Sequence, residues 1–323
     1  MKAIQFDTIG GPEVLVWRDV ELPPPAAGEV QIRHTAIGLN YIDTYHRSGL
    51  YAVPLPSGLG SEAAGVVTAL GAGVKGFKIG DRVAYGSGAI GAYSEARNIS
   101  CNRLIKLPKS ISDETAAAMM LKGMTVRYLL RATYKVKRGE TILLHAAAGG
   151  IGLILSQWAK ALGVKVIGTV GSDEKIEIAK AHGCAHVINS SRENVAEQVR
   201  ALTRGKGVPV VYDGVGQATF ASSIDSLAPR GLLVSFGNAS GPVSAFNLGL
   251  LAAKGSLYVT RPTLYAYIAD DAEFKATVKD LLEIVQSGKV KIPVNQRYAL
   301  KDANLAHRDL EARKTTGASV LLP

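Results

Sequence analysis

The sequence has few cysteines and no apolar segment long enough to cross a bilayer. Its 323 residues include two cysteines, Cys101 and Cys184, which cannot build a disulfide framework and are typical of a reducing compartment. No apolar run approaches the roughly 20 residues of a transmembrane helix. The first residues, MKAIQFDTIG, lack the apolar core of a signal peptide. These absences argue against a disulfide-stapled secreted domain and predict a cytoplasmic protein.

Basic residues exceed acidic residues, since 37 Lys and Arg against 27 Asp and Glu give a net charge of +10. Such a balance favours anionic partners, among them nucleic acids, acidic lipids and polyphosphate cofactors. The basic residues are scattered, however, and none of them form a block of five or six, so a solvated surface also accounts for them. The charge by itself gives only weak support to RNA binding.

The pattern of the chain changes twice. Residues 1–120 contain short strand-like runs between glycines and prolines, such as EVQIRHTAIGL, and predict a small β-rich domain. From residue 141 strands and helices alternate, as in TILLHAA, GIGLILSQWAKALG, KVIGTV and SDEKIEIAKAHG, which predicts a parallel sheet with helices on both faces. The last sixty or so residues are too few for a domain of their own. We therefore expect residues 1–120 to be completed by 262–323, and residues 121–261 to form a second domain.

A glycine-rich turn joins the first strand and helix of the alternating region. Its sequence, HAAAGGIG, nearly matches the dinucleotide-binding pattern G-x-G-x-x-G, with Ala147 at the first glycine. Glycines there allow a tight turn and close backbone approach to a pyrophosphate, and the helix N-terminus offers N–H groups to the phosphates. A plain turn of small packing residues is the alternative. The strand–turn–helix context predicts a dinucleotide site formed by Ala148, Gly149, Gly150 and Ile151.

The residues after the next strand, KVIGTV, indicate NADP(H) rather than NAD(H). NAD sites place an Asp or Glu near this point to bind the ribose 2′-hydroxyl. Here Gly171 leaves space, Ser172 can donate a hydrogen bond and Lys175 can place a cation near a 2′-phosphate. Asp173 and Glu174 weaken this interpretation, although both also suit the first turn of the following helix. Lys175 could equally be an ordinary surface lysine.

Together these motifs resemble those of the medium-chain dehydrogenases/reductases over essentially the whole chain. The segments NYIDTYHRSGLY, GSEAAGVV, GDRVAY, LHAAAGGIGLILSQWAK and VVYDGVG are similar to the quinone oxidoreductase branch. The resemblance implies an α/β protein in which a GroES-like β-rich catalytic domain accompanies a Rossmann doubly wound parallel-sheet domain that binds NADP(H). It also implies a homodimer formed through an edge strand around GSLYVT.

The resemblance further implies an enzyme without zinc. Zinc-dependent relatives have a ligating His where this chain has Ser61 and a ligating Cys where it has Asn40. A structural zinc site of four cysteines is excluded because the chain has two. The cluster HGCAH spans a predicted helix end and strand start, so its side chains are expected to diverge and not to form a metal site. Glu62 is then expected to be buried and paired.

The resemblance places Asn40, Tyr45 and Tyr51 beside the nicotinamide and substrate. An amide can donate a hydrogen bond, and a tyrosine combines a flat face with a phenol. For the two tyrosines the alternative is packing within the β-rich domain or capping of a loop. For Phe236 it is core packing, for Arg313 a solvated helix end, and for Lys122 and Thr125 helix positions that face solvent and core. Ser190 stands where relatives often carry an aromatic residue or His near the adenine. The implied cofactor positions beyond the turn are Lys122, Thr125, Ser190, Phe236, Gly237, Thr260, Arg261 and Arg313.

The predicted reaction follows from the cofactor and from the missing zinc ligands. A nicotinamide can pass a hydride directly to a quinone or an activated enone, because the added charge is delocalised onto oxygen. The sequence therefore predicts an NADPH-dependent quinone oxidoreductase that needs no zinc. One alternative is an NADPH-dependent enone or alkenal reductase. Another, of a different class, is an RNA-binding or structural protein that retains NADPH binding.

Overall fold

The computed structural model describes residues 1–323, which divide into two compact units. Unit 1 comprises Met1–Lys122 and Ile292–Pro323, and unit 2 comprises Gly123–Lys291. The sequence placed the return to the first domain at residue 262, whereas unit 2 continues as far as Lys291. The reason is the helix over Asp271–Gln286, which packs within unit 2. Its Leu281 lies against Gly123, and its Asp280 accepts a hydrogen bond from Arg127 at 3.0 Å.

The first segment of unit 1 is built mainly from short strands. Single turns of 3-10 helix lie at Pro12–Val14 and Cys101–Arg103. Helix α1 covers Tyr41–Ser48, and helix α2, Asp113–Tyr128, runs into unit 2. The strands are β1 Lys2–Phe6, β2 Val16–Asp19, β3 Glu29–Leu39, β4 Ser57–Gly58, β5 Ala63–Leu70, β6 Arg82–Tyr85, β7 Ala96–Ser100 and β8 Ile105–Lys106.

Unit 2 alternates strands and helices, and a π-helical turn at Leu129–Thr133 follows α2. Its strands are β9 Thr141–Leu144, β10 Lys165–Val170, β11 Cys184–Asn189, β12 Val208–Asp213, β13 Leu227–Ser235 and β14 Tyr258–Thr260. Its helices are α3 Gly150–Ala161, α4 Glu174–Ala181, α5 Val195–Leu202, α6 Phe220–Ser226, α7 Gly249–Ala253, α8 Leu264–Tyr267 and α9 Asp271–Gln286. The chain then returns to unit 1 through β15 Val294–Ala299, a 3-10 turn at Leu300–Asp302, α10 Ala303–Glu311 and β16 Ala318–Leu322.

The main sheet of unit 1 is centred on the long strand β3. Its order is β15-β16-β3-β5-β6-β8, and β7 also pairs with β3. A smaller sheet has the order β2-β1-β4. The C-terminal strand β16 is antiparallel to β3, with Val320 opposite Gly38. Residues from the end of the chain therefore complete the main sheet of unit 1. Asn40 comes directly after β3, so the C-terminal strand pairs with the strand that leads to Asn40.

Unit 2 contains a six-stranded sheet in which every pairing is parallel. Its order is β11-β10-β9-β12-β13-β14. The chain moves outward from β9 through β10 to β11 and then resumes on the other side of β9 with β12. The predicted doubly wound parallel sheet is thus confirmed. In such sheets ligands bind beyond the carboxyl ends of the strands, at the point where the order reverses.

The helices of unit 2 begin and end at signals that are visible in the sequence. Helix α3 stops shortly before Gly163, whose φ of +78° favours glycine. Helix α9 begins after Asp270, whose carboxylate accepts the N–H groups of Ala272 and Glu273 at 2.8 and 3.0 Å. Among the helices of residues 1–323, none has both the length and the apolar character needed to cross a membrane.

Candidate functional site

The turn between β9 and α3 is tight although it lacks the first glycine of the expected pattern. Ala146 adopts a left-handed conformation with φ of +55°, and the Gly149 N–H donates to its carbonyl at 3.0 Å. Ala147 is fully buried and donates its N–H to the Thr169 carbonyl at 2.8 Å. A Cβ atom on Gly168 of β10 would lie 2.6 Å from the Ala147 Cβ. The neighbouring strand therefore makes room for the Ala147 methyl group by being glycine itself.

The start of α3 has the features of a phosphate-binding helix N-terminus. Gly152 cannot carry a side chain, because a Cβ atom would lie 2.6 Å from the carbonyl carbon and oxygen of Ala147. The first turn of this twelve-residue helix contains no acidic residue. Its free N–H groups and the positive end of its dipole therefore favour an anion. The four predicted residues, Ala148 to Ile151, lie together in this turn.

The end of β10 brings together the residues that the sequence linked to a 2′-phosphate. Ser190 donates its hydroxyl to the Val170 carbonyl at 3.0 Å, which places it beside Gly171. A Cβ atom on Gly171 would meet no atom within 4 Å, so the space beside it is open. Lys175 lies in the first turn of α4, and its N–H donates to the Ser172 carbonyl at 3.3 Å. The positions linked to a 2′-phosphate and the adenine, Gly171, Ser172, Lys175 and Ser190, therefore lie together at the end of β10.

The two acidic residues at this edge are held by local partners. Asp173 accepts a hydrogen bond from the Asn189 amide at 2.8 Å and forms an ion pair with Arg192 at 2.9 Å. A hydrogen bond with Ser172 lowers the pKa of Glu174. That bond uses the Ser172 hydroxyl hydrogen, which was expected to point to a 2′-phosphate. The ion pair of Asp173 brings in Arg192, an exposed cation that sequence reasoning missed because it follows β11 rather than β10.

A second group of predicted cofactor residues meets at the ends of β13 and β14. The Phe236 N–H donates to the Asp213 carbonyl at 2.8 Å. Arg261 donates to the carbonyls of Ser235 and Gly237 at 2.8 and 3.1 Å. Thr260 ends β14 opposite Val234 of β13. The structure thus collects Phe236, Gly237, Thr260 and Arg261 at the carboxyl edge of the sheet.

A buried Ser–His–Asp cluster in unit 2 is not a nucleophilic triad. The Ser223 hydroxyl donates to Asp213 at 2.7 Å and lies 3.0 Å from Nε2 of His145. All three side chains are buried, and burial lowers the pKa of His145. Asp213 also accepts the N–H groups of Val215 and Gly216 at 2.8 and 3.1 Å. The cluster therefore fixes the loop that follows β12.

In unit 1 the side chain of Glu62 binds three donors. The Asn40 amide donates to Oε2 of Glu62 at 2.7 Å, and the Lys122 ammonium lies 3.1 Å from the same oxygen. The Leu121 N–H donates to Oε1 at 2.8 Å. Glu62 is fully buried, as the sequence led us to expect, and Asn40 and Lys122 are buried with it. Gly38 permits this packing, because a Cβ atom there would collide with the Glu62 carboxylate and the Ala117 carbonyl.

This donor set does not fit a zinc ion. Asn40 and Ser61 supply neither a thiolate nor an imidazole, and the remaining carboxylate, Glu62, carries the ammonium group of Lys122. No group of three or more His, Cys, Asp or Glu side chains in residues 1–323 is arranged to hold a metal. In the HGCAH segment, His182 bonds the Ile178 carbonyl at 2.8 Å, and Cys184 lies 3.2 Å from the Ser156 hydroxyl.

Three tyrosines pack together around α1. The ring centroids of Tyr45 and Tyr51 are 5.2 Å apart and nearly perpendicular, and those of Tyr41 and Tyr45 are 5.6 Å apart. The Tyr51 N–H donates to the Tyr45 carbonyl at 3.0 Å. Tyr45 is buried, whereas Tyr41 and Tyr51 are half-buried. Sequence reasoning did not single out Tyr41, although it lies one helical turn before Tyr45.

Two further predicted positions are Thr125 and Arg313. Thr125 is buried on α2, within unit 2. Arg313 follows α10 in unit 1 with φ of +59°. Burial raises the pKa of Tyr41 and the positive charge of Arg313 opposes that shift, which places Arg313 near Tyr41. These observations describe the surroundings of both residues without assigning them a ligand.

Two family models match the chain, one in each unit. Residues 26–109 match the alcohol dehydrogenase GroES-like domain, and residues 150–283 match the zinc-binding dehydrogenase domain. A GroES-like β domain joined to a Rossmann-type parallel sheet defines a medium-chain dehydrogenase/reductase. Relatives covering the full chain narrow this class. The chain belongs to the quinone oxidoreductase branch of that superfamily.

Three relatives show what the chain is similar to, and the first two of them are quinone oxidoreductases. A quinone oxidoreductase of Pseudomonas aeruginosa is 57% identical over 323 residues, which is 100% of this chain and 99% of the relative. The crystal structure of Escherichia coli quinone oxidoreductase complexed with NADPH superposes with a TM-score of 0.98 at 52% identity, covering 100% of both chains. A 2-haloacrylate reductase of a Burkholderia species is 44% identical and covers 97% of this chain and 96% of its own.

Proposed function

We propose that this protein is an NADPH-dependent quinone oxidoreductase that works without zinc. The observation that carries the proposal is the buried cluster of Asn40, Glu62 and Lys122. It puts an amide, Asn40, where zinc-dependent relatives need a ligating cysteine, and it pairs the carboxylate of Glu62 with an ammonium group. The similarity to quinone oxidoreductases over the whole chain supports the same conclusion.

We propose that unit 2 binds NADPH. The β9–α3 turn offers N–H groups to the pyrophosphate from Ala148, Gly150 and Ile151, while Gly149 closes the turn on Ala146 and lets the phosphates approach the backbone. The open edge at Gly171, with Lys175 and Ser190, suits the adenosine and its 2′-phosphate, and Arg192 supplies a second cation. Ser172 belongs to the same edge and can donate to the phosphate once it releases Glu174. The E. coli relative is crystallised with NADPH. Within unit 2 we assign further contacts to Thr125, Phe236, Gly237, Thr260 and Arg261.

When bound, NADPH supplies the hydride or its electrons. The protein's task is then to orient a flat acceptor and to donate hydrogen bonds to the oxygen on which charge develops. We propose that Tyr45 and Tyr51 contact the quinone with their rings or phenols and that Asn40 orients it. The bond from the Asn40 amide to Glu62 fixes which way that amide points. Asn40 is therefore held in one orientation before a substrate arrives.

The acceptor class is tested by following NADPH oxidation at 340 nm with ortho-quinones, para-quinones and alkenals under identical conditions. We expect quinones to be reduced with the highest kcat/KM. A rate confined to alkenals would overturn the quinone assignment.

A second candidate is the reduction of an activated carbon–carbon double bond. The 44% identity to a 2-haloacrylate reductase favours it, since an enone and a quinone both delocalise added charge onto oxygen. The same panel of acceptors separates the two candidates when 2-chloroacrylate is added. The third alternative, RNA binding, rests on net charge alone, and we do not propose it.

We also propose that the protein is a cytoplasmic homodimer that pairs through β14. This strand lies at the edge of the unit 2 sheet, and its Tyr258 is 61% exposed. An exposed edge strand with a large apolar side chain is a ready surface for a second copy. Light scattering on Tyr258→Asp tests this, with Leu305→Asp in α10 as the control for a surface charge. A dimeric Tyr258→Asp protein would contradict the assignment.

A further inference from the structure

A continuous line of buried hydrogen bonds connects the C-terminal helix α10 to Asn40. Arg47 lies 3.2 Å from Nδ1 of His307, and Nε2 of His307 lies 3.1 Å from the Tyr93 hydroxyl. That hydroxyl donates to Oδ2 of Asp43 at 2.9 Å. The backbone N–H of Asn40 donates to the same oxygen, also at 2.9 Å. We call Arg47, His307, Tyr93 and Asp43 the relay.

The chemistry of the four side chains fixes which group donates and which accepts in each hydrogen bond of the relay. A guanidinium can only donate, so Nδ1 of His307 must accept from Arg47. Burial, helped by the charge of Arg47, lowers the pKa of His307 to about 3, so the ring is neutral and carries its hydrogen on Nε2. Nε2 therefore donates to the Tyr93 oxygen. The single hydroxyl hydrogen of Tyr93 is then directed to Asp43.

Both ends of the relay are anchored. Arg47 makes two bonds to the Glu311 carboxylate, at 3.0 and 2.7 Å, and one to the Gly10 carbonyl at 3.1 Å. At the other end, Oδ2 of Asp43 accepts two donors, while its Oδ1 is buried without a partner. A proton bound at Oδ1 therefore leaves both bonds to Oδ2 in place. Asp43 holds the backbone of Asn40 while Glu62 holds its amide.

We propose that His307 and Tyr93 are positioning residues that set Asn40 for the reaction. The C-terminal return of the chain thereby serves the substrate site, although α10 contributes no predicted substrate contact. Losing the relay frees Asn40 to shift relative to Glu62, and an error of about 1 Å in a positioned group can cost up to about a hundredfold in rate. The proposal rests on the proposed role of Asn40 beside the quinone.

The test uses three relay variants and one control. Tyr93→Phe removes one hydroxyl and keeps the ring, His307→Leu removes both ring nitrogens, and His307→Gln keeps a donor and an acceptor. The control is Tyr298→Phe, which deletes another hydroxyl of unit 1 that donates to an aspartate, Asp309, at 3.0 Å. Each variant is assayed for kcat and KM with a quinone and for the Kd of NADPH.

We expect kcat to fall about tenfold in Tyr93→Phe and His307→Leu, while the Kd of NADPH stays within twofold. His307→Gln and Tyr298→Phe should keep most of kcat. In an Asn40→Ala background, Tyr93→Phe should cause no further loss, because residues that act as one unit are not additive. Unchanged kcat in Tyr93→Phe, or a second tenfold loss in the Asn40→Ala background, would overturn the proposal.

A readout that is independent of turnover separates this proposal from the proposed function. The ¹⁵N side-chain amide resonance of Asn40, assigned by its loss in Asn40→Ala, should shift or broaden in Tyr93→Phe and stay in place in Tyr298→Phe. If none of the quinones tested supports NADPH oxidation by the wild-type protein, the proposed function fails. The Asn40 resonance still shows in that case whether the relay positions Asn40. An Asn40 resonance that Tyr93→Phe leaves in place contradicts the positioning role.

Discussion

The Lys122 ammonium group lies 3.1 Å from Oε2 of Glu62, and both side chains are buried. Removing two charges from water is costly, and only their mutual attraction and additional hydrogen bonds compensate for it. Glu62 obtains those bonds from Asn40 and Leu121. The pair thus defines the orientation of Asn40 as well as the charge of the site.

Replacing Lys122 by Met should destabilise the protein by about 3–5 kcal/mol, because it leaves the Glu62 charge buried without its partner. Urea unfolding measures this free energy. The control is Lys180→Met, which breaks an exposed pair with Glu177 at 2.9 Å and should cost less than about 1 kcal/mol. An equal loss of unfolding free energy in the two variants would show that the buried pair contributes no more to stability than the exposed pair.

Gly168→Ala should destabilise unit 2 by about 1–3 kcal/mol, the usual cost of an extra group in a packed core. The new methyl group would lie 2.6 Å from the Ala147 Cβ and 2.7 Å from the Cys184 sulfur. Gly171→Ala, three residues later, meets nothing within 4 Å and should leave stability unchanged or slightly raised. Thermal unfolding compares the two, and equal melting temperatures would refute the proposed Ala147–Gly168 fit.

Lys175→Ala should raise the Kd of NADPH about 10- to 100-fold, the effect expected for losing one charge-assisted hydrogen bond. The Kd of NADH should not change, because NADH lacks the 2′-phosphate. Fluorescence titration measures both constants, with Lys180→Ala, five residues further along α4, as the control. An unchanged Kd of NADPH in Lys175→Ala would remove this lysine from the phosphate site.

His307→Gln should make stability less sensitive to acid. The pKa of His307 is lowered from 6.5 to about 3 in the folded state, so below pH 6.5 the unfolded chain binds a proton that the folded chain does not. The stability contributed by neutral His307 is complete above pH 6.5 and falls by about 2 kcal/mol at pH 5, at roughly 1.4 kcal/mol per unit. Urea unfolding gives the free energy of unfolding of wild type and of His307→Gln at each pH. The wild-type value minus the variant value should be about 2 kcal/mol smaller at pH 5 than at pH 7. A difference that is constant with pH contradicts the neutral buried ring.

Local patterns in the sequence were sufficient for the elements of unit 2. The segment KVIGTV coincides with β10, and the turn at HAAAGGIG leads into α3. Apolar runs bounded by glycines specify strands and helices through short-range constraints, so they can be read without the fold. The boundary at 262 was misplaced because α9 packs on Gly123, far away in sequence.

Long-range contacts account for what sequence reasoning missed at the site. The relay joins residues as distant as Arg47 and His307, and no spacing pattern links them. Asp43 lies three residues after Asn40, and that spacing is the one local signal of the relay, since it matches a helix-capping pair. Arg192 was missed because the contact that brings it to the end of β10 is made by Asp173.

The most direct test of the central claim is the oxidation of NADPH by 1,4-benzoquinone with protein that has been dialysed against a zinc chelator. We predict a quinone-dependent decrease in absorbance at 340 nm at the rate of untreated protein, faster with NADPH than with NADH. No quinone-dependent oxidation, or activity that returns only when zinc is added, would contradict the account.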